Sequence, residues 1–290
     1  MSIIDLRGPV PTSTPAPDRP RRRFSPARSR RWLRAHGLQL YAVVAFAYIF
    51  TPIAYVMVFS FNIPARSNIA WRGFTLANWE NPCGAPEVCN AVGNSLKIGL
   101  SATLIATVLG TMIAFALSRY RFRGRTSTNL LIFLPMATPE VVLAASLLTL
   151  FLNLKVPLGF VTIVIAHVMF CISFVVVAVK ARIAALDPRL EQAAADLYAT
   201  EFETFRRITL PLLAPGIAGA ALLAFSLSFD DFIITNFVSG NVNTFPKFVY
   251  VSAQRGIPAQ AYVVGSFMFL LAMTIVLVVE AVRWRRSVKK

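Results

Sequence analysis

An all-α membrane protein with six transmembrane helices is what the sequence predicts, on three observations. The 290 residues are 56% hydrophobic and 14% charged, with a mean hydropathy of +0.63. A soluble domain carries about 25% charged residues. Six apolar runs, at about 38–61, 94–118, 129–152, 158–180, 211–238 and 261–282, reach the roughly 20 residues that cross a hydrocarbon core. Basic residues gather in alternate connections between those runs. No ten-residue alternation of the barrel kind recurs, so apolar helices remain the way to satisfy backbone polar groups in lipid.

Residues 1–37 are rich in Pro and Arg, a composition that predicts a disordered tail. The tail does not read as a cleaved signal, because the run after it spans a bilayer and no small-x-small site follows. Arg19, Arg21, Arg22, Arg23, Arg28, Arg30, Arg31 and Arg34 precede the first run. Arg119, Arg121, Arg123 and Arg125 separate runs two and three, and Lys180, Arg182, Arg189, Arg206 and Arg207 separate four and five. Arg283, Arg285, Arg286, Lys289 and Lys290 follow the last run. The other connections hold only Arg66 and Arg72, then Lys155, then Lys247 and Arg255. The positive-inside rule therefore puts both termini and residues 119–128 and 181–210 in the cytoplasm. The formal net charge of +16 is then topology, with anionic lipid as a further contact, and not a nucleic-acid surface. The chain divides into the tail 1–37, a transmembrane body 38–285 and a short basic end 286–290.

Cys83 and Cys89 share the first outside connection, in "NPCGAPEVCN". That side is oxidising, so the pair is open to a disulfide if a turn at Gly84 and Pro86 brings the two together. Cys171, within the fourth run, reads as a small buried residue. The third run contains Pro135 and Pro139, which kink a helix and free backbone carbonyls.

Between runs four and five lies "EQAAADLYATEFETFRRITLPLLAPGI", residues 191–217, charged and Ala-rich. Asp187-Pro188 is a helix start. Leu190, Ala193, Ala194 and Leu197 follow at i, i+3, i+4 and i+7, one apolar face of mostly small side chains. Thr200 and Glu203 form a capping box for a second short helix, which Pro211 ends. The connection 187–210 is thus a helical elbow with an apolar face and no membrane to bury it in. That face packs either on its own bundle or on another protein.

The elbow resembles the cytoplasmic loop of ABC importer permeases, patterned E-A-A, three residues, G, nine residues, I-x-L-P. Gln192, Ala193 and Ala194 stand at E-A-A, with Glu191 beside them. Tyr198 stands at the Gly position, and Ile208, Leu210 and Pro211 complete the pattern. If that Gly position has φ > 0, Tyr198 is strained by about 1 kcal/mol or more. Further stretches, "LPMATPEVVLAASLLTLF" (134–151), "IAHVMFCISFVVV" (165–177), "SFDDFIITNFVSG" (228–240) and "FPKFVYVSAQRGIPAQ" (245–260), are similar to one branch of that family, the polyamine importer permeases. The resemblance covers roughly residues 40–285.

It implies a type I ABC importer permease fold in a bacterial inner membrane, importing a small cationic solute such as spermidine or putrescine. It also implies a homologous second permease, two ATPase subunits and an extracytoplasmic binding protein as partners. Glu191, Gln192, Ala193, Ala194, Leu197, Tyr198, Ile208, Leu210 and Pro211 would then be the ATPase-coupling set. This chain would bind no cofactor, with ATP and Mg used by the ATPase.

Ionisable residues inside spans are costly and mark candidate sites. They are Glu140 in run three, His167 in run four, and Asp230 and Asp231 in run five. On one continuous helix Ser228, Asp231 and Thr235 share a stripe and Asp230 points about 100° away. That reading puts Asp231 on the solute pathway and Asp230 at a helix interface. Phe229, Phe232 and Phe237 could add cation–π contacts. His167 fits an interface hydrogen bond as readily as a pathway role.

Alternatives remain. Another solute is compatible with the same loop. A stand-alone carrier could use Glu140, His167 and the aspartates as a proton relay, but it requires inverted repeats and no half-to-half echo is visible. Enzyme classes find no support. There is no G-x-x-x-x-G-K-[ST] loop, no G-x-S-x-G elbow, and His36 and His167 have no Cys at metal-ligand spacing.

Overall fold

A computed structural model describes residues 26–64 and 70–288, with side chains over 37–64 and 70–285. Among the described residues the chain is all-α and polytopic. Five helices are long and apolar enough to cross a membrane, and a bent pair makes a sixth crossing if counted as one. One isolated antiparallel bridge, Asn62 to Phe74, is the exception to helix and loop.

Up to Ile53 the chain forms a unit of its own, part of α1 (Pro26–Phe59). Helix therefore covers 26–37, where a disordered tail was expected, and the rest of the expected tail lies outside the described residues. Leu38, Tyr41, Phe46 and Tyr48 are exposed, as an apolar rod in lipid requires.

From Ala54 onward the chain forms a second unit. Its core is three spans: α3 (Pro86–Arg119), α6 (Phe160–Ala184) and α9 (Leu210–Asp230). Small residues explain their close packing. Ala102, Ala106, Gly110 and Ala114 recur every four residues along the buried face of α3. A Cβ on Gly110 would lie 2.7 Å from Val175 Cγ1 of α6. One apolar cluster, including Ala106, Leu117, Val175, Val179, Leu213 and Ala224, fills the half of the bundle near Arg119. A second, including Ile98, Leu147, Phe151, Ile163, Ile234 and Val238, fills the other half.

The third span is broken, not kinked. α4 (Arg125–Ala137) and α5 (Glu140–Asn153) meet at 107°. Pro139 caps α5 and forces Thr138 into an extended conformation, φ −83° and ψ 133°. Pro135, four residues earlier, removes another bond from the same ladder.

The fifth span breaks as well. α9 ends at Asp230, Asp231 is extended (φ −65°, ψ 124°), and α10 (Ile233–Val238) starts afresh after it. The expected continuous helix over 211–238 is therefore corrected. Asp231 is the reason: its carboxylate accepts the backbone N–H groups of Ile234 and Thr235, satisfying donors a new helix leaves open.

Before α9 comes the elbow. α7 (Arg189–Asp196) begins where expected, with the Asp187 carboxylate accepting the Arg189 N–H at 2.9 Å. α8 (Glu201–Thr204) carries the predicted capping box in both directions. Pro211 does not end it. A π-helical turn over Phe205–Thr209 joins α8 to α9, with the Leu210 N–H reaching the Phe205 carbonyl. The wider turn shifts the ladder just ahead of the proline that lacks a donor.

At the opposite end of α3 the connection is tightly built. Cys83 and Cys89 form a disulfide with Cα atoms 5.5 Å apart. α2 (Ala77–Glu80) is tied back by Asn78 Nδ2, which donates to the carbonyls of Ser60 and Asn62. After α10, α11 (Phe245–Arg255) and α12 (Ala259–Val288) complete the chain. Lys247 locks the turn between α10 and α11. Its ammonium donates to Ser239 Oγ at 2.6 Å and to the carbonyls of Gly240 and Val242, and burial lowers its pKa.

Candidate functional site

The two broken spans meet at one polar cluster. His167 of α6 is 1% exposed. Its Nδ1 lies 2.7 Å from Ser228 Oγ of α9. Its Nε2 lies 3.1 Å from Asp231 Oδ2 and 3.0 Å from Thr235 Oγ1 of α10. Asp231 Oδ2 also accepts the Thr235 N–H and hydroxyl, each at 2.8 Å. With a proton on Nε2 every group is satisfied: Nε2–H faces the Asp231–Thr235 oxygens and Ser228 donates to Nδ1. Glu140, in the first turn of α5, lies near the Asp231 carboxylate.

These positions correct the sequence expectation for the aspartates. Asp231 is 7% exposed and fully engaged within the chain, so it is the structural centre of the cluster. Asp230 is exposed and Glu140 half-exposed. Because the helix ends at 230, the continuous stripe of Ser228, Asp231 and Thr235 does not exist as drawn. The three still converge, through His167. The phenylalanines do not converge. Phe229 packs on Phe225, Phe232 on Tyr250, and Phe237 against the α5–α10 core. His167 takes the interface role.

The second candidate surface is the elbow. Leu190, Ala193 and Leu197 face outward, and so do Gln192, Tyr198 and Phe202. Leu197 is 82% exposed and Tyr198 96%, so this apolar face is not packed on its own bundle. Ala194 is the correction: it is 4% exposed and seats α7 on the chain. Tyr198 has φ +60°, the left-handed conformation that made its side chain a suspected misfit. Leu210 and Pro211 are exposed at the start of α9, and Ile208 is half-buried in the π turn.

Glu191 does not face outward with its neighbours. Its Oε1 accepts the Thr209 hydroxyl at 2.9 Å and is ion-paired with Arg119 at the end of α3. The Arg119 guanidinium also lies 5.8 Å from the Phe115 ring centroid, and Phe115 meets Phe205 of the π turn edge to face at 5.1 Å. A cavity of about 540 Å³ lies among Phe115, Arg119, Glu191, Phe202 and Phe205. In the sequence Arg119 reads only as a topology residue, because a partner 72 positions away leaves no local pattern. No group of His, Cys, Asp and Glu able to hold a metal occurs among the described residues.

Comparison with known proteins follows the same lines. Residues 106–287 match the family described as "Binding-protein-dependent transport system inner membrane component". The chain is 35% identical over 233 residues to the spermidine/putrescine transport system permease protein PotC of Escherichia coli (strain K12), covering 80% of this chain and 88% of that one. It is 36% identical over 223 residues to the putrescine transport system permease protein PotI of the same organism, covering 74% and 79%. In three dimensions it resembles a chain of a bacterial ABC transporter involved in the import of the acidic polysaccharide alginate. The TM-score is 0.67, with 17% identity over 89% of this chain and 96% of that one.

Proposed function

Since the chain belongs to the family of binding-protein-dependent transport system inner membrane components, we propose that it is one of two homologous permeases in an ATP-driven importer of polyamines. The carrying observation is the pair of surface carboxylates, Asp230 and Glu140, set at the breaks of two spans. A cation leaving water needs a fixed counter-charge, and a carboxylate inside a span is too costly to keep without use. The names of the similar permeases agree with a cationic solute.

The elbow docks into one of two ATPase subunits through Leu190, Ala193, Leu197, Tyr198 and Phe202. ATP and Mg belong to that partner, and an extracytoplasmic binding protein delivers the solute. Both termini and the elbow lie in the cytoplasm. α3 supports this topology, because its 34 residues span about 50 Å between a disulfide at one end and the elbow's anchor Arg119 at the other. That distance exceeds a hydrocarbon core of about 30 Å.

The test is uptake into vesicles holding the whole complex with its binding protein. Labelled spermidine should accumulate only with ATP, and excess putrescine should compete. Uptake of a neutral sugar, undisturbed by polyamine, would overturn the substrate reading.

A further inference from the structure

We propose that Arg119 is a positioning residue for coupling, clasping Glu191 so that a push on the elbow reaches α3 and α9 together. This rests on the reading of the elbow as the ATPase-docking element. Three elements meet at one oxygen: Glu191 Oε1 of α7 takes the Arg119 guanidinium of α3 and the Thr209 hydroxyl of the π turn. Thr209 is 2% exposed, and Phe115 and Phe205 flank the guanidinium side of the contact.

Without the clasp, α7 hangs from two short connections, residues 185–188 and 197–200, and from the seat of Ala194. Connections of that kind bend, and a docking force on Leu197 or Tyr198 would be spent in bending them. With the clasp the force has two rigid outlets. α3 is packed along α6 and α9. α9 runs from the π turn to Asp230 and the polar cluster. The π turn suits this role, because its looser ladder lets Thr209 face Glu191 while the helix continues. Glu191 thus acts inward, whereas Gln192, Ala193 and Leu197 act outward.

The experiment uses the full complex in membranes, with polyamine uptake and ATP hydrolysis measured per assembled complex. Arg119→Gln should leave assembly and ATP hydrolysis near wild type while uptake per ATP falls roughly tenfold, the scale of one charge-assisted contact. Glu191→Gln should do the same. The double variant should be no worse than either single one, and Arg119→Glu with Glu191→Arg should recover at least half of the wild-type ratio. A wild-type ratio in Arg119→Gln, or losses that add in the double variant, would overturn the proposal. Should single variants fail to assemble, the charge-swapped pair decides: recovery supports the clasp and failure refutes it. Leu197→Arg separates this from the docking reading. If the ATPase still associates and works normally with Leu197→Arg, the docking reading itself is wrong, whatever Arg119 does.

Discussion

Asp231→Asn should damage the fold more than the transport step, and the size of the effect follows from its hydrogen bonds. Oδ2 accepts the Thr235 N–H and hydroxyl at 2.8 Å and faces His167 Nε2 at 3.1 Å, while Oδ1 accepts the Ile234 N–H at 3.3 Å. Asparagine keeps one acceptor oxygen. Turned toward Thr235 and His167, it aims its NH2 at the Ile234 N–H, and two donors face each other at a site 7% exposed. An orphaned buried donor costs about 1–3 kcal/mol, and replacing charge-assisted bonds by neutral ones costs about 1 more. The net loss is about 2–4 kcal/mol, a large share of the ~5–15 kcal/mol that holds a folded chain.

Detergent-extracted complex should therefore unfold on the order of 5–10 °C lower, with less assembled complex in the membrane. Uptake per surviving complex should stay within about twofold. Asp230→Asn should show the reverse, with normal abundance and thermal midpoint but uptake per complex down roughly tenfold, the scale of one charge-assisted contact. The decisive measurement is uptake normalised to complex in the same membranes, beside a thermal scan of each variant. Asp231→Asn with a wild-type midpoint and poor uptake per complex would refute the structural role given to it.

Other outcomes can be checked with single variants. Tyr198→Gly should relieve a left-handed strain worth about 1 kcal/mol, seen as slower amide exchange in the elbow. It should also weaken ATPase association, because a ring that is 96% exposed is removed from the docking face. Gly110→Ala puts a methyl 2.7 Å from Val175 Cγ1 and should cost about 1–3 kcal/mol in thermal stability, whereas Gly93→Ala, with open space around it, should cost little. Maleimide added outside intact cells should leave Cys83 and Cys89 unlabelled until a reductant is supplied. Lys247→Met should leave the spans in place while loosening residues 239–244, measured as faster proteolysis of that connection.

The membrane fold was legible because its signals are summed over long windows. Twenty apolar residues in a row and a charge bias across whole connections survive local exceptions. Helix starts were legible for the opposite reason, since Asp187-Pro188 and Thr200–Glu203 act within one turn. The breaks were harder. Pro135 and Pro139 announce a disturbance in span three, but a kink and a 107° turn share that signature. What separates them is tertiary packing, here of α5 against α10. In span five no proline marks the break at all. It comes from Asp231 preferring to cap α10, a choice favoured only because His167 of another span stands ready to bond the same carboxylate.

The same distinction governs the site residues. Glu140, His167, Asp230 and Asp231 could be picked out singly, since each is expensive in a hydrocarbon core. Their roles could not, because helical arithmetic assumes an unbroken helix and fails where the helix ends. One residue of extended backbone turns the neighbouring carboxylates apart: Asp231 inward to His167, Asp230 outward to the surface. Under the proposed function this span both handles a cation and holds together, and adjacent positions on a continuous helix would put the two duties only about 100° apart. Breaking the helix between them separates the duties fully. One carboxylate is taken up by bonds within the fold and stabilises the break, while its neighbour faces the surface. Shifting the break by one residue, by inserting Ala between Asp230 and Asp231, should therefore cost both stability and uptake at once. An insertion that left both intact would mean that the break itself has no part in handling the solute.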